Sequence, residues 1–384
     1  MIRRFRCSLL ALALLLGLSA PALAESTIST LTVTRDTTFT KANGPYIISG
    51  TITVVDTVTL TIEAGAELRF GDNAHLQVNG SLQAVGTQGA PIVFTSSNIN
   101  VFDGRWDGIV IDGNRSRGPE AAGLIPKSRL EWCDIGFGEY DNSAYAGLVA
   151  VTHNATPVIK NCTIHNGRAS GLWIDSQYMR DSGGIFMPGP EIRDNTFRAN
   201  SLYGLHLQST HSSGSGNTAL IDLAQEVPQR IGGNRYEGNG SDTGGALGVS
   251  LGRMTLARSH TWGRIDSQQV HVRQRITVPR FDRDGAEVQL TVPASTRIEF
   301  TTDLRGGSGQ LYFEGRLQAV GTAEAPIEFV GRDRRIGEWG GLEFFKAGAS
   351  AQLEHVLVQH ANIGLYIRNT APVVVRNSRI LDTS

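Results

Sequence analysis

The sequence predicts an all-β solenoid, and three observations carry that reading. Short apolar runs alternate with turn residues, and residues 147–171 come back to their opening Gly-Leu pair after 24 positions, at Gly171-Leu172. The unit recurs in the flanking sequence. A long series of motifs also occurs twice in the same order. Three short strands joined by tight turns cannot bury an apolar face alone, so such a unit must stack on copies of itself. The composition agrees: 45 Gly, 7% aromatic residues and no long amphipathic helical stretch among 384 residues.

The copies align on an apolar anchor. Ile164 lies seven residues before Gly171 and Phe197 seven before Gly204, and the same alignment adds Ile135, Tyr236, Val358 and Ile380. Two positions upstream the column reads Cys133, Cys162, Asn195, Asn234, Val356 and Ser378. Period-two alternation turns this column inward with the anchor. Asn195 and Asn234 then either form an amide ladder along the stack or each hold a left-handed turn. Cys133 and Cys162 fall in register on successive coils, about 4.8 Å apart. That separation suits either a disulfide or two stacked free thiols.

Residues 1–24 stand outside the fold. Arg3, Arg4 and Arg6 precede an apolar run from Leu9 to Leu18, and Ala22-Leu23-Ala24 is a small-x-small cleavage pattern. This is the pattern of a secretory signal peptide, too short to span a bilayer. The expected location is outside the cytoplasm: extracellular, cell-surface or periplasmic. No transmembrane segment is expected in the mature chain. Removing three Arg from 35 basic residues leaves 32 against 36 acidic ones, a net charge of −4, which gives no nucleic-acid signal.

Taken in order, residues 25–252 form a first cassette. Residues 58–70 alternate, Gly80-Ser-Leu-Gln-Ala-Val-Gly-Thr87 follows, then Ala90-Pro-Ile-Val-Phe-Thr95 and Trp106-Asp-Gly-Ile109. Insertions interrupt its coils at 176–190 and 209–232. Residues 253–384 form a second, incomplete cassette, which opens with a basic stretch whose alternation from Val270 to Val278 predicts one strand. It repeats the series as Gly315-Arg-Leu-Gln-Ala-Val-Gly-Thr322, Ala325-Pro-Ile-Glu-Phe329 and Trp339-Gly-Gly-Leu342. Trp106 and Trp339 match between cassettes, which points to packing. The last coil stops at Asp382-Thr-Ser384. Its end is therefore expected either to continue in a longer protein or to support end-to-end self-association.

The motifs Gly-x-Leu-x-Ala-x-Gly-Thr, Pro-Ile-x-Phe, Trp-x-Gly-Ile/Leu and Asn-x-x-Ile resemble the secreted bacterial right-handed parallel β-helix repeat proteins of the pectin-lyase-like superfamily. The resemblance covers nearly all of residues 45–384 and implies a right-handed parallel β-helix of roughly a dozen coils. It does not fix function, since relatives include polysaccharide lyases, glycoside hydrolases and adhesins.

Both insertions leave one edge of one sheet, where loops on a rigid scaffold place binding sites. With Leu172 and Ile174 inward, Trp173, Asp175, His206 and Gln208 face outward beside both loops. Val149 and Val151 are expected outward on the preceding coil. Glu343, Phe345, Tyr366 and Arg368 are their expected equivalents in the second cassette. Trp173 either offers a ring face to a sugar or is roofed by Ile185, Phe186 and Met187 of the insertion. The expected role is a secreted scaffold that binds carbohydrate or another envelope component. The alternatives are a lyase or hydrolase acting on an anionic polysaccharide, and an adhesin or assembly subunit. A calcium-dependent lyase would draw on Asp175 and Asp194 as acids, with Arg180 or His206 as base. Outside that reading no metal or cofactor is expected, because the nine His show no ligand spacing.

Overall fold

The computed structural model describes residues 25–98, 105–113, 127–138, 147–153, 155–175, 190–208, 230–240, 248–256, 258–282, 284–302, 308–368 and 372–384. It is a parallel β-helix. The chain visits three faces in turn, three strands to a coil, and each strand pairs in parallel with the one three strands earlier. The first face is an eight-stranded sheet from Ser26–Ile28 to Arg235–Glu237. The second is continuous over 13 strands, from Leu31–Val33 to Arg379–Leu381. The third has seven, from Thr37–Phe39 to Ile231–Gly232. Beyond these, two five-stranded sheets take over the third-face and first-face positions, starting at Met254–Thr255 and His260–Thr261.

Alternation builds each strand: Leu60, Ile62, Leu68 and Phe70 are buried, and the residues between them look outward. Inward side chains stack along the axis in like-on-like columns. Ile135 pairs with Ile164, Ile164 with Phe197, and Phe197 with Tyr236. The matched tryptophans are core pieces. Trp106 lies 4.4 Å from the Phe70 ring and donates to the Gly136 carbonyl at 3.0 Å. Trp339 repeats both contacts, 3.9 Å from Phe300 and 2.9 Å from the Gln359 carbonyl.

The column upstream of the anchors carries both roles the sequence allowed, on adjacent residues. Cys162 N–H donates to Asn195 Oδ1 at 2.9 Å, and Asn195 Nδ2 donates to Asn234 Oδ1 at 3.0 Å, so the amide ladder is real. Asp266 ends it by accepting from Asn234 Nδ2 at 2.7 Å. The left-handed turn belongs to the residue just before: Trp132, Asn161, Asp194, Gly233, His355 and Asn377 all have positive φ. A second left-handed residue follows each anchor by two, at Phe137, Asn166, Ala199, Gly238, His360 and Asp382. Sequence reasoning missed a second ladder, in which Asn200 Nδ2 donates to Asn239 Oδ1 at 2.9 Å. Cys133 and Cys162 are buried free thiols. Their Sγ atoms face the carbonyls of Ala84 at 3.4 Å and Leu130 at 3.2 Å.

Three expectations are corrected. Gly147 pairs with Ser170, and Val149 with Leu172, so the backbone offset on these coils is 23. Val149 and Val151 therefore lie in the main core, and Ala150 and Thr152 take the outward positions. The residues 270–278 are two strands, Val270–Val272 and Arg275–Val278, on different faces with a corner at Arg273 and Gln274. Finally, the second series is set one face on. Glu67–Phe70 lies on the first face, and its counterpart Arg297–Phe300 on the second. The two are 22 strands apart in chain order, which is not a multiple of three.

Candidate functional site

Two outward surfaces carry chemistry. The first contains the residues the sequence singled out. Trp173 pairs with His206, His206 with Ser250, Ser250 with His271 and His271 with Glu299, forming one column on the second face. Asp175 and Gln208 pair in the next column. All four predicted residues thus come together. They are also covered: Trp173 is 3% exposed, Asp175 and His206 4%, and Gln208 7%. Trp173 packs with Val110 and Ala150 in a small cluster separate from the main core, so it does point away from the axis. The insertion residues named as its roof, and Arg180, lie outside the described residues.

A hydrogen-bond chain runs through this row. His206 Nδ1 is 2.7 Å from Ser250 Oγ, and its Nε2 is 3.1 Å from Gln208 Oε1. Gln208 Nε2 reaches Asp175 Oδ2 at 3.5 Å. With the Gln208 carbonyl accepting, the Nε2 atom of His206 carries the proton and Nδ1 accepts from the serine. Further along, the Tyr203 ring lies 5.7 Å from His271, and the Arg273 guanidinium 5.4 Å over Tyr203. Burial pushes His271 down to about 4, against the pull of Glu299 and with Arg332 acting in the same direction as burial. The proposed second acid does not join this group. Asp194 is exposed at a corner, in the left-handed position that precedes a first-face strand.

The second surface is open. It lies on the third face of the second cassette, across Arg275–Val278, Gln310–Phe313, Leu342–Phe344 and Leu365–Ile367. Ile276, Val278, Leu311, Phe313, Leu342 and Phe344 are buried, which leaves the alternate side chains outside. Thr277, Tyr312, Glu343 and Tyr366 form one outward column. The Phe345 ring lies 5.5 Å from Tyr312. The Arg275 guanidinium sits 5.2 Å over Tyr312, and that of Arg368 lies 5.1 Å over Phe345 and 4.7 Å over Tyr366. Burial raises the Tyr312 hydroxyl above its ordinary value, helped by Glu314 and Glu343 and opposed by Arg275 and Arg368.

The sequence named Glu343, Phe345, Tyr366 and Arg368 as outward residues, but put them on the sheet of Trp173. The shift by one face moves them to the next. Gln310 and Tyr312 were missed, and the sequence reads Arg275 as outward on a cationic strand face without joining it to this surface. Their signal is the alternation in Gln310-Leu-Tyr-Phe313, laid in register on Arg275-Ile-Thr-Val278.

Among the described residues, no group of three His, Cys, Asp or Glu is placed to hold a metal ion. No helix among them is long and apolar enough to cross a membrane. The turn at Phe281-Asp-Arg-Asp-Gly285 is closed by its own acid, Asp282 Oδ1 accepting from the backbone of Asp284 at 2.9 Å and Ala286 at 2.8 Å. No curated protein and no solved structure matches the chain. A family model does: residues 31–153 match the one described as the pectate-lyase-like beta helix domain. That match lies on the opening coils of a parallel β-helix whose sheets run on to residue 381, and together the two findings support a pectin-lyase-like parallel β-helix protein.

Proposed function

We propose that this protein is an exported β-helix scaffold that binds carbohydrate through the open surface of its second cassette. The observation that carries the reading is the ladder of Tyr312, Phe345 and Tyr366 on three successive coils, with Gln310 and Glu343 beside the rings. Aromatic faces stack on sugar rings, and amide and carboxylate groups bond their hydroxyls. Gln310 Nε2 donates to Glu343 Oε2 at 2.9 Å, so both side chains are already held in place. Export is read from residues 1–24 and is checked by N-terminal sequencing of the mature chain, expected to start at Glu25.

The binding test is affinity electrophoresis or calorimetry against a panel of soluble polysaccharides. Phe345→Ala is expected to weaken binding by about 1–3 kcal/mol, the range for one aromatic stack in a polymer groove, with the melting temperature nearly unchanged. Trp173→Ala is expected to do the reverse, lowering stability and sparing affinity, because that ring is buried. Affinity lost with Trp173→Ala and kept with Phe345→Ala would move the site to the second face.

A further inference from the structure

We propose that the solenoid contains a built-in joint, between the coil that ends with Arg235–Glu237 and the coil that opens with Val249–Leu251, and that Asp266 latches it shut. The first observation is topological. Across this boundary the second face is continuous, with Leu205 paired to Val249 and Leu207 to Leu251. The other two faces are not. The third-face sheet ends at Ile231–Gly232 and the first-face sheet at Arg235–Glu237, and new sheets begin at Met254–Thr255 and His260–Thr261. Among the described residues, no strand pairing joins 230–240 to 254–256 or 258–268. A solenoid is held together by interfaces between neighbouring coils. An interface that lacks two of its three ladders is where the coils part first.

The second observation is what spans the gap. Asp266 Oδ2 accepts three hydrogen bonds from the coil before it: from Asn234 N–H at 3.2 Å, Asn234 Nδ2 at 2.7 Å and the Tyr236 hydroxyl at 3.0 Å. The amide ladder thus ends on a carboxylate, which accepts and cannot donate onward. Burial, and then Asp266 beside it, raise the Tyr236 hydroxyl well above its ordinary value, which keeps it a donor.

The third is strain on the same segment. Asp266 and Ser267 have φ of +51° and +63°, the one consecutive pair of left-handed non-glycine residues among those described. Such backbone persists only where its surroundings over-determine it. Trp262 Nε1 and Gln269 Nε2 are buried without a hydrogen-bond partner, so this coil gains less from staying closed than a fully satisfied one. Against opening stands the apolar core, which continues across the gap through Ile231, Leu256, Trp262 and Ile265. The joint is therefore shut at rest, and its opening is a swing about the unbroken second-face sheet. That swing turns the second cassette, with its open surface, against the first.

Hydrogen exchange of the full chain, read by mass spectrometry, tests the joint. In the parent, Ile231–Gly232, Arg235–Glu237, Met254–Thr255 and His260–Thr261 are expected to exchange through an opening that leaves Leu205–Gln208, Val249–Leu251 and Val270–Val272 protected. Asp266→Gly removes the carboxylate, and glycine keeps the positive φ at no steric cost. It is expected to speed exchange on the two interrupted faces roughly tenfold or more, with little change on the second face. Tyr236→Phe removes one of the three donors and is expected to act in the same direction by less. Asp266→Asn keeps an acceptor oxygen and is expected to stay near the parent. Equal exchange on all three faces in the parent overturns the joint, as does an Asp266→Gly effect spread evenly along the chain. Interrupted faces left unchanged by Asp266→Gly overturn the latch.

Discussion

The amide ladder gives the sharpest test of what holds the coils in register. The Asn195 side chain is fully buried and makes three hydrogen bonds. Its Oδ1 accepts from Cys162 N–H at 2.9 Å, while Nδ2 donates to the Ile159 carbonyl at 2.9 Å and to Asn234 Oδ1 at 3.0 Å. Asn195→Ala leaves the Cys162 N–H without an acceptor, which costs about 1–3 kcal/mol in a buried site. The two lost donations add about 0.5–1.5 kcal/mol each. The expected destabilisation is thus about 2–6 kcal/mol, read as a shift in urea midpoint at pH 7 with the slope unchanged. Asn195→Asp keeps the acceptor for Cys162, loses both donations and places a carboxylate where water cannot reach, so it should be at least as damaging. A loss below about 1 kcal/mol in both variants would refute the ladder as a register device.

Two further outcomes follow from buried titratable groups. His271 is lowered from 6.5 to about 4, chiefly by burial, so its contribution to stability is complete above pH 6.5 and is lost as pH falls toward 4. A difference of 2.5 units corresponds to about 3 kcal/mol at most. Glu299, Arg332, Tyr203 and Ser250 face it and are left intact in His271→Gln, so that variant should lose less stability than the parent between pH 7 and 4.5. Parallel curves would show that the imidazole is not held neutral. Cys133 is raised well above the ordinary thiol range by burial, with Cys162 beside it adding to the shift. Neither thiol should react with a disulfide reagent until the chain unfolds, and a native-state burst of labelling would contradict that packing.

The fold was legible because inward side chains in a solenoid answer to their own column. Ile135, Ile164, Phe197 and Tyr236 were aligned from spacing alone and are paired residue for residue. The errors have physical causes. The Gly-Leu match fixed a sequence period of 24, but corners absorb or release residues, and the strands themselves pair at 23. That single residue turned Val149 and Val151 to the wrong side, as any one-residue slip must. Exposure was not legible. Alternation tells which way Trp173 points and cannot tell whether anything covers it, and the structure leaves it 3% exposed. The open surface was half seen because the matched strands were given the same facing in both copies, while the second copy is set one face on.

The displacement of the second cassette bears on where function can lie. A repeat offset by 22 strands turns every matched residue to a new direction. Residues that stay the same across the two copies therefore cannot together form one ligand surface. The inward positions keep their character: Leu76 and Leu311, Val78 and Phe313, Ile109 and Leu342, and Ile111 and Phe344 are all buried and apolar. The outward positions of the same strands diverge. Gln77, Val110 and Asp112 in the first copy correspond to Tyr312, Glu343 and Phe345 in the second. Burial constrains only one side of each strand, and the other is free to acquire a site. The rings and charges of the open surface sit at those diverged outward positions, on a face the first copy never presented in that direction.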